Sequence, residues 1–447
     1  MKLRKFDFKL PSEDKRRNKV IVASISMVVL ILIITIASTF AYYQSIETQT
    51  PINANVGTFS SGDIIFAVTI DGVLSNSFPV KGSGYAVESI LCDKGASGRW
   101  NRDEWSITTI NLTQSKTTCN VSFIDERETL RYKILSQFGG ELSIEEAPIN
   151  TFANVSAATD KLMYKMEDDY GDSYYYRGTK TLLSNNLIFA GFQWKIVRIN
   201  GNGSVRLIYN GICPNNSCTI NNTGVVTQVK TTSFNANQSD NKYVGYMYGG
   251  FLGYSSTSRI EAITNTTASN MKTEIDNWYV TNIESKGINI TKMVSDTLFC
   301  NDRQLVLGTG YGQTVTNYGS YLRLRTTRSP ILRCTDKNDR FTVSDISVGN
   351  GALSYPIGLI TADEVSLAGG RYGSANSSYY LYTNHFFWTM SPNEYSSAHA
   401  QQFVVRDDGF LYSTGVYNAM GLRPSLNLIP NTLVTGDGSS SNPFVVF

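Results

Sequence analysis

Hydrophobic and polar positions alternate in short runs along most of this 447-residue chain, with one exception near its start. Residues 20–43, VIVASISMVVLILIITIASTFAYY, carry no charge, no Gly and no Pro. At roughly 1.5 Å per residue a helix of that length rises about 36 Å, enough to cross a hydrocarbon core of about 30 Å with some tilt. No later stretch is comparably apolar, and the pattern predicts one transmembrane segment.

Beyond it the period is two rather than 3.6. Strand-like runs at 63–70, 85–91, 105–112 and 119–123 alternate with the turn clusters DG, GSG and GASG. That rhythm predicts a small antiparallel β-sandwich over residues 44–125. Residues 126–138 switch to helical spacing, with Leu130, Ile134, Leu135 and Phe138 on one face and Gly139-Gly140 as a stop. This helix and the polar, Pro148-bearing stretch after it read as a connector over 126–160. The final domain is expected over 161–447. Its clearest local signal is FQWKIVRINGNGSVRLIYNG, in which Phe192, Trp194 and Ile196 alternate, NGNGS turns, and Val205, Leu207 and Tyr209 alternate on the return. Ser269 is placed to cap a helix with Met271, Ile275, Trp278 and Tyr279 on one side, and Thr361 to open a short helix stopped by Gly369. Short helices beside strands that pair at a distance predict an α+β domain.

Charge gives the apolar run its direction. Residues 1–19 hold eight Lys or Arg (Lys2, Arg4, Lys5, Lys9, Lys15, Arg16, Arg17 and Lys19) against Asp7, Glu13 and Asp14. Positive-inside retention keeps this tail cytoplasmic and sends residues 44–447 out of the cell. Thr39-Phe40-Ala41 also reads as a small-x-small cleavage site, so a retained single-pass anchor and a signal cleaved after Ala41 both fit, the length of the run suiting the anchor. The net charge of +2 is more than supplied by the basic tail, so the exported part is net negative and nucleic-acid binding has no electrostatic support. All six cysteines fall in that exported part as local couples, Cys92 with Cys119, Cys213 with Cys218 and Cys300 with Cys334, which predicts three disulfides. A zinc site lacks CxxC spacing, and the only histidines, His385 and His399, are far along the chain from any Cys.

Two stretches bear a family resemblance. TFAYYQSIETQTPINANVGTFSSGDI resembles the start of camelysin and TasA-type surface and matrix proteins, which implies export and a β-fold. Their protease activity does not carry over, because no HExxH or other clustered metal ligands are present. YGDSYYYRG, FAGFQWKIVRINGNGSVRLIYNG, LFCNDR, YPIGLITADEV, FFWTMSP and GLRPSLNL, in that order within residues 164–428, resemble a domain of uncharacterised function in exported Gram-positive proteins. That domain is similar in turn to formylglycine-generating-enzyme and C-type-lectin-like folds. The resemblance implies a C-type-lectin-like domain over 161–447. The enzymes of that fold use paired, copper-binding cysteines near the C-terminus, whereas no cysteine here follows Cys334. What the resemblance then implies is a displayed binding surface.

The stretch between WTMSP and GLRP is where that surface is expected: Asn393, Glu394, Tyr395, His399, Arg406, Asp407, Asp408, Tyr412, Tyr417 and Asn418. Tyr supplies rigid contact area and Asn and Asp adaptable hydrogen bonds, while the plainer alternative is ordinary strand and loop residues. Trp388 and Arg423 read as structural, a core pillar and a strand anchor. Glu167, Asp168, Asp169 and Asp172 make calcium the one cofactor to consider, although consecutive acids on an extended chain point to alternate sides and ion pairing with Arg177 competes. GTGYG at 308–312 has the wrong glycine spacing for a dinucleotide loop and reads as a turn. No GxSxG frames a serine, and acid pairs for glycoside hydrolysis leave no local signature. The expectation is a single-pass cell-membrane protein whose extracellular domain binds a glycan, a cell-wall polymer or a surface protein. An extracellular enzyme without the paired cysteines, and a structural surface or matrix component, are the alternatives.

Overall fold

The computed structural model describes residues 47–49, 59–61 and 64–447, apart from 102, 103, 111, 113, 115 and 149. The apolar run 20–43, the basic tail and the Ala41 site lie outside the described residues. Among the described residues no helix is long and apolar enough to cross a membrane. The chain is a mixed α/β protein, mostly strands in several sheets with few helices. It divides into two compact units, with the break between Asp125 and Glu126.

In the first unit, Ile64–Ile70 and Tyr85–Cys92 flank Thr117–Asp125 in one sheet. The period of two is visible in what is buried: Ile64, Phe66 and Val68 on one strand, Cys119, Val121 and Phe123 on its neighbour. Ile107, from a second sheet containing Ser97–Asn101 and Ser106–Ile110, enters the same core. Phe78 stands edge-on to Phe66 and to Phe123, each at 5.8 Å. The strands are not all antiparallel as expected, since Ile64–Ile70 runs parallel to Thr117–Asp125. Cys92 and Cys119 face each other on neighbouring strands with Cα atoms 4.0 Å apart, so their bridge reinforces one sheet instead of crossing the core.

The helix read as a connector belongs to the body of the second unit. Leu130–Ser136 is capped by the Thr129 side chain, and Leu130, Ile134 and Leu135 are buried in that unit's main core. The hairpin forms as its pattern suggests, Phe192–Ile199 antiparallel to Val205–Ile212, in the middle of a nine-stranded sheet. Both of its faces are covered, so that Gln193, Lys195, Arg198 and Arg206 are as buried as Trp194 and Leu207. A second, eight-stranded sheet carries Phe387–Ser396, His399–Val405 and Phe410–Gly415 as an antiparallel meander.

Helix Ala362–Ala368 lies between the two sheets. It packs on Gly171–Tyr176 of the first and on all three meander strands of the second, and every one of its residues is buried. A capping box opens it: Thr361 Oγ1 accepts from the Glu364 amide at 3.0 Å, and the Glu364 carboxylate accepts from the Thr361 amide at 2.8 Å. Gly369, at φ 126°, closes it with a backbone that a side chain would strain. Ser269 caps Asn270–Asn282, which buries Met271, Ile275 and Tyr279 and sets Trp278 against Phe192, Trp194 and Tyr209. All six cysteines are paired as the local couples suggest, the bonding of a protein exposed to an oxidising, extracytoplasmic environment.

Candidate functional site

The ten residues expected to share one surface separate into three groups. Asn393 and Tyr395 are buried, and Glu394 is held by Arg325 at 3.0 Å and by the Asn393 side chain at 3.0 Å. The register slips between Pro392 and Glu394, which marks a bulge at Asn393, and both faces of the strand are buried up to that residue. Arg406, Asp407 and Asp408 form the turn after His399–Val405, where Arg406 pairs with Asp408 at 3.4 Å and stacks on Phe410 and Tyr412. His399, Tyr417 and Asn418 stand at the opposite end, with the His399 and Tyr417 rings 6.0 Å apart and Asn418 donating to Thr414 Oγ1 at 2.6 Å. A seven-residue strand at about 3.3 Å per residue separates these ends by about 20 Å, so they are not one small site. The His399 end begins at a two-residue turn in which Ser397 and Ala398 both hold positive φ, 52° and 64°, a conformation non-glycine residues rarely adopt.

The most exposed aromatic residues of the second unit were not among the ten. Phe251 is 81% and Tyr254 74% exposed, with Leu252 exposed between them. Their backbone is fastened from beneath. Buried Lys242 donates to the carbonyls of Phe251 at 2.7 Å and Tyr254 at 2.8 Å, with its ammonium over the Tyr243 and Tyr248 rings. The Gly253 amide donates to the Tyr243 hydroxyl at 3.1 Å, and the Asp240 carboxylate accepts from Ser255 Oγ and from both the amide and hydroxyl of Ser256. The same segment reaches the meander, where the Gln238 carbonyl accepts from the Ala400 amide at 2.8 Å and the Gln238 side chain and Tyr417 ring close over Gly415. Residues 238–243 therefore support both the FLGY loop and the His399–Tyr417 end. The sequence signal was available: GGFLGYSS places apolar letters among turn formers, which marks a loop that shows its apolar residues.

A small cavity beside the start of helix Ala362–Ala368 is the place where carboxylates converge. Arg198, Arg206, Asp302, Arg323, Asp363 and Glu364 line it. Glu364 receives Arg198 at 2.8 Å and Arg206 at 3.0 Å, while Arg323 reaches Asp302 at 2.9 Å and Asp363 at 3.0 Å. Burial alone would raise the Glu364 carboxyl, but Arg206 and Arg198 outweigh it and hold the pKa down to about 2. Ser391 Oγ is engaged by the Ala362 amide at 2.9 Å. These carboxylates are neutralised by guanidinium groups, which is the chemistry of an ion network rather than of an acid poised to pass a proton.

The acidic run is engaged by cations in the same way. Glu167 pairs with Arg333, Asp168 with Arg198 at 2.5 Å, Asp169 with Arg340 at 3.1 Å and Asp172 with Lys165 at 3.4 Å. Arg177 pairs with Asp160 at 2.9 Å instead of with this run. Among the described residues no group of three His, Cys, Asp or Glu gathers as metal ligands. Trp388 is fully buried with its indole N–H donated to the Thr232 carbonyl at 2.8 Å, and buried Arg423 donates to the Tyr209 and Leu381 carbonyls. Comparison with protein-family models, with curated proteins and with solved structures finds no match for the chain.

Proposed function

We propose that this is a membrane-anchored cell-surface binding protein, held by residues 20–43 as a single N-in span. Its second unit, of the C-type-lectin-like kind, takes a glycan or cell-wall polymer at the FLGY loop and the neighbouring His399–Tyr417 end. The observation that carries the reading is the exposure of Phe251 and Tyr254 on a loop whose backbone is fixed by Lys242 and Asp240. Aromatic faces held in place lose little freedom on binding, and they suit the apolar faces of sugar rings. Asn418 and His399 add polar groups beside Tyr417. The ion-paired cavity supports no competing hydrolytic reading, since its carboxylates are matched by arginines.

The test is binding of the full chain, in detergent micelles, to insoluble cell wall and to soluble wall oligosaccharides. Saturable binding is expected, weakened about tenfold by the double substitution Phe251→Ala and Tyr254→Ala, as for loss of central aromatic contacts. Equal binding by the double variant would remove the loop from the site, and no binding to any wall fraction would remove the proposal.

A further inference from the structure

Beside the Cys213–Cys218 loop, the central hairpin buries a lysine that meets no carboxylate among the described residues. Lys195 is 2% exposed on Phe192–Ile199. Its Nζ contacts the side-chain oxygens of two asparagines, Asn186 and Asn221. Asn186 is its direct cross-strand neighbour in the register. Asn221 comes from the loop that follows Cys218, with a left-handed backbone at φ 63°. The charges that act on Lys195 are Arg423 and Lys180, both of its own sign. A buried ammonium in such surroundings is costly, and the amides solvate it only in part.

The two asparagines are held differently. Asn186 donates through both its backbone N–H and its Nδ2 to the Gly438 carbonyl, at 3.0 and 2.8 Å, which fixes the amide with its oxygen toward Lys195. Asn221 is half-buried on a loop and comes to the same Nζ from outside the sheet. We propose that Lys195 and Asn221 are joined by an intramolecular isopeptide bond, with Asn186 as the hydrogen-bond acceptor of the new amide. Nζ attacks the Asn221 carboxamide carbon, the Nζ–Cγ bond forms and the Cγ–Nδ2 bond breaks. Nδ2 leaves as ammonia, taking one proton from the attacking amine, and the remaining N–H points to Asn186 Oδ1. The step needs no oxidant or co-reactant, and it turns a buried cation into a neutral amide.

The reactive form of the lysine is present. Burial first, and then Arg423 and Lys180, bring the amine down to about 7, so a large fraction is neutral and nucleophilic near neutral pH. The bond ties the loop that follows the Cys213–Cys218 bridge to the central hairpin of the nine-stranded sheet, a second covalent closure beside the disulfide.

The measurement is the mass of the full chain after reduction, followed by peptide mapping. The expected result is a mass lower than that of the sequence by one ammonia, protection of Lys195 from Lys-specific cleavage, and one branched peptide joining the segments around Lys195 and Asn221. Lys195→Met and Asn221→Ala each restore the full mass. Full mass in the native-sequence protein, with ready cleavage at Lys195, overturns the proposal. So does an ammonia loss without a branched peptide, as a succinimide gives, or a branch that maps to Asn186.

Discussion

Lys195 and Arg198 lie three positions apart on one strand and are almost equally buried, yet the fold treats them in opposite ways. Arg198 meets two carboxylates, Asp168 and Glu364, and Arg206 on the return strand shares Glu364. Among the described residues Lys195 meets only amide oxygens. A bulge between Ile196 and Arg198 puts both on one face of the hairpin, and the difference comes from what covers each part of that face. Helix Ala362–Ala368 brings a carboxylate from far along the sequence to the arginines, whereas the loop after Cys218 brings an asparagine to the lysine. A buried charge must be paired, lose its proton or be consumed, and this hairpin supplies a case of pairing beside a case without it.

The strongest way to break the contrast is to remove the shared carboxylate. Glu364→Gln leaves Arg198 with Asp168 alone and Arg206 with no acid, and is expected to destabilise the second unit by about 3 to 5 kcal/mol in chemical unfolding. A loss below about 1 kcal/mol would mean that the network does not anchor the sheets. Acid probes the same pair without mutation. The Glu364 carboxyl titrates at about 2 in the folded unit against 4.5 without its partners, so its contribution is complete above about pH 4.5 and is lost as pH falls toward 2. That contribution is about 3 kcal/mol, read as an acid limb in thermal unfolding that Glu364→Gln flattens.

The unpaired lysine is expected to respond less. Lys195→Met removes the crosslink while keeping an apolar stem in place, and a fall of about 2 kcal/mol in stability is expected, of the order found for a covalent loop closure. The alkaline limb sharpens this reading. A free amine at about 7 in the folded state and 10.5 unfolded lowers stability below pH 7 and ceases to do so above pH 10.5, so stability would rise across that window. A crosslinked Lys195 titrates in neither state, and the profile there is expected to carry no contribution from it. The smallest effect belongs to the surface: Tyr417→Ala should leave stability within about 0.5 kcal/mol and weaken wall binding a few-fold, whereas a large loss of stability would make Tyr417 structural.

Much of the local architecture was legible in the letters. Ser269 and Thr361 announce helix starts because a side-chain oxygen meets an amide three residues on, and the short-range cysteine couples need only modest chain closure. The hairpin at 192–212 was legible from alternation. Its second buried face was not, since alternation separates two faces without saying whether the polar one is covered, and the cover here comes from residues 364 and 221. That Asn393 and Tyr395 are buried was not legible either, since neither the bulge at Asn393 nor the cover over both faces of Phe387–Ser396 shows in the composition. Phe251 and Tyr254 are only partly legible as surface in the sequence, because an apolar cluster resembles core and what holds its backbone outward is Lys242 and Asp240.

The short helix between the sheets also decides how the second unit comes apart. To lift the nine-stranded sheet away from this helix, Glu364 must leave both Arg198 and Arg206, a separation that strands ions in a poorly hydrated gap. That sheet has no partly detached state of low cost. Outside the cell, where proteases sample whatever opens, such a unit presents them with little between its intact form and complete unfolding.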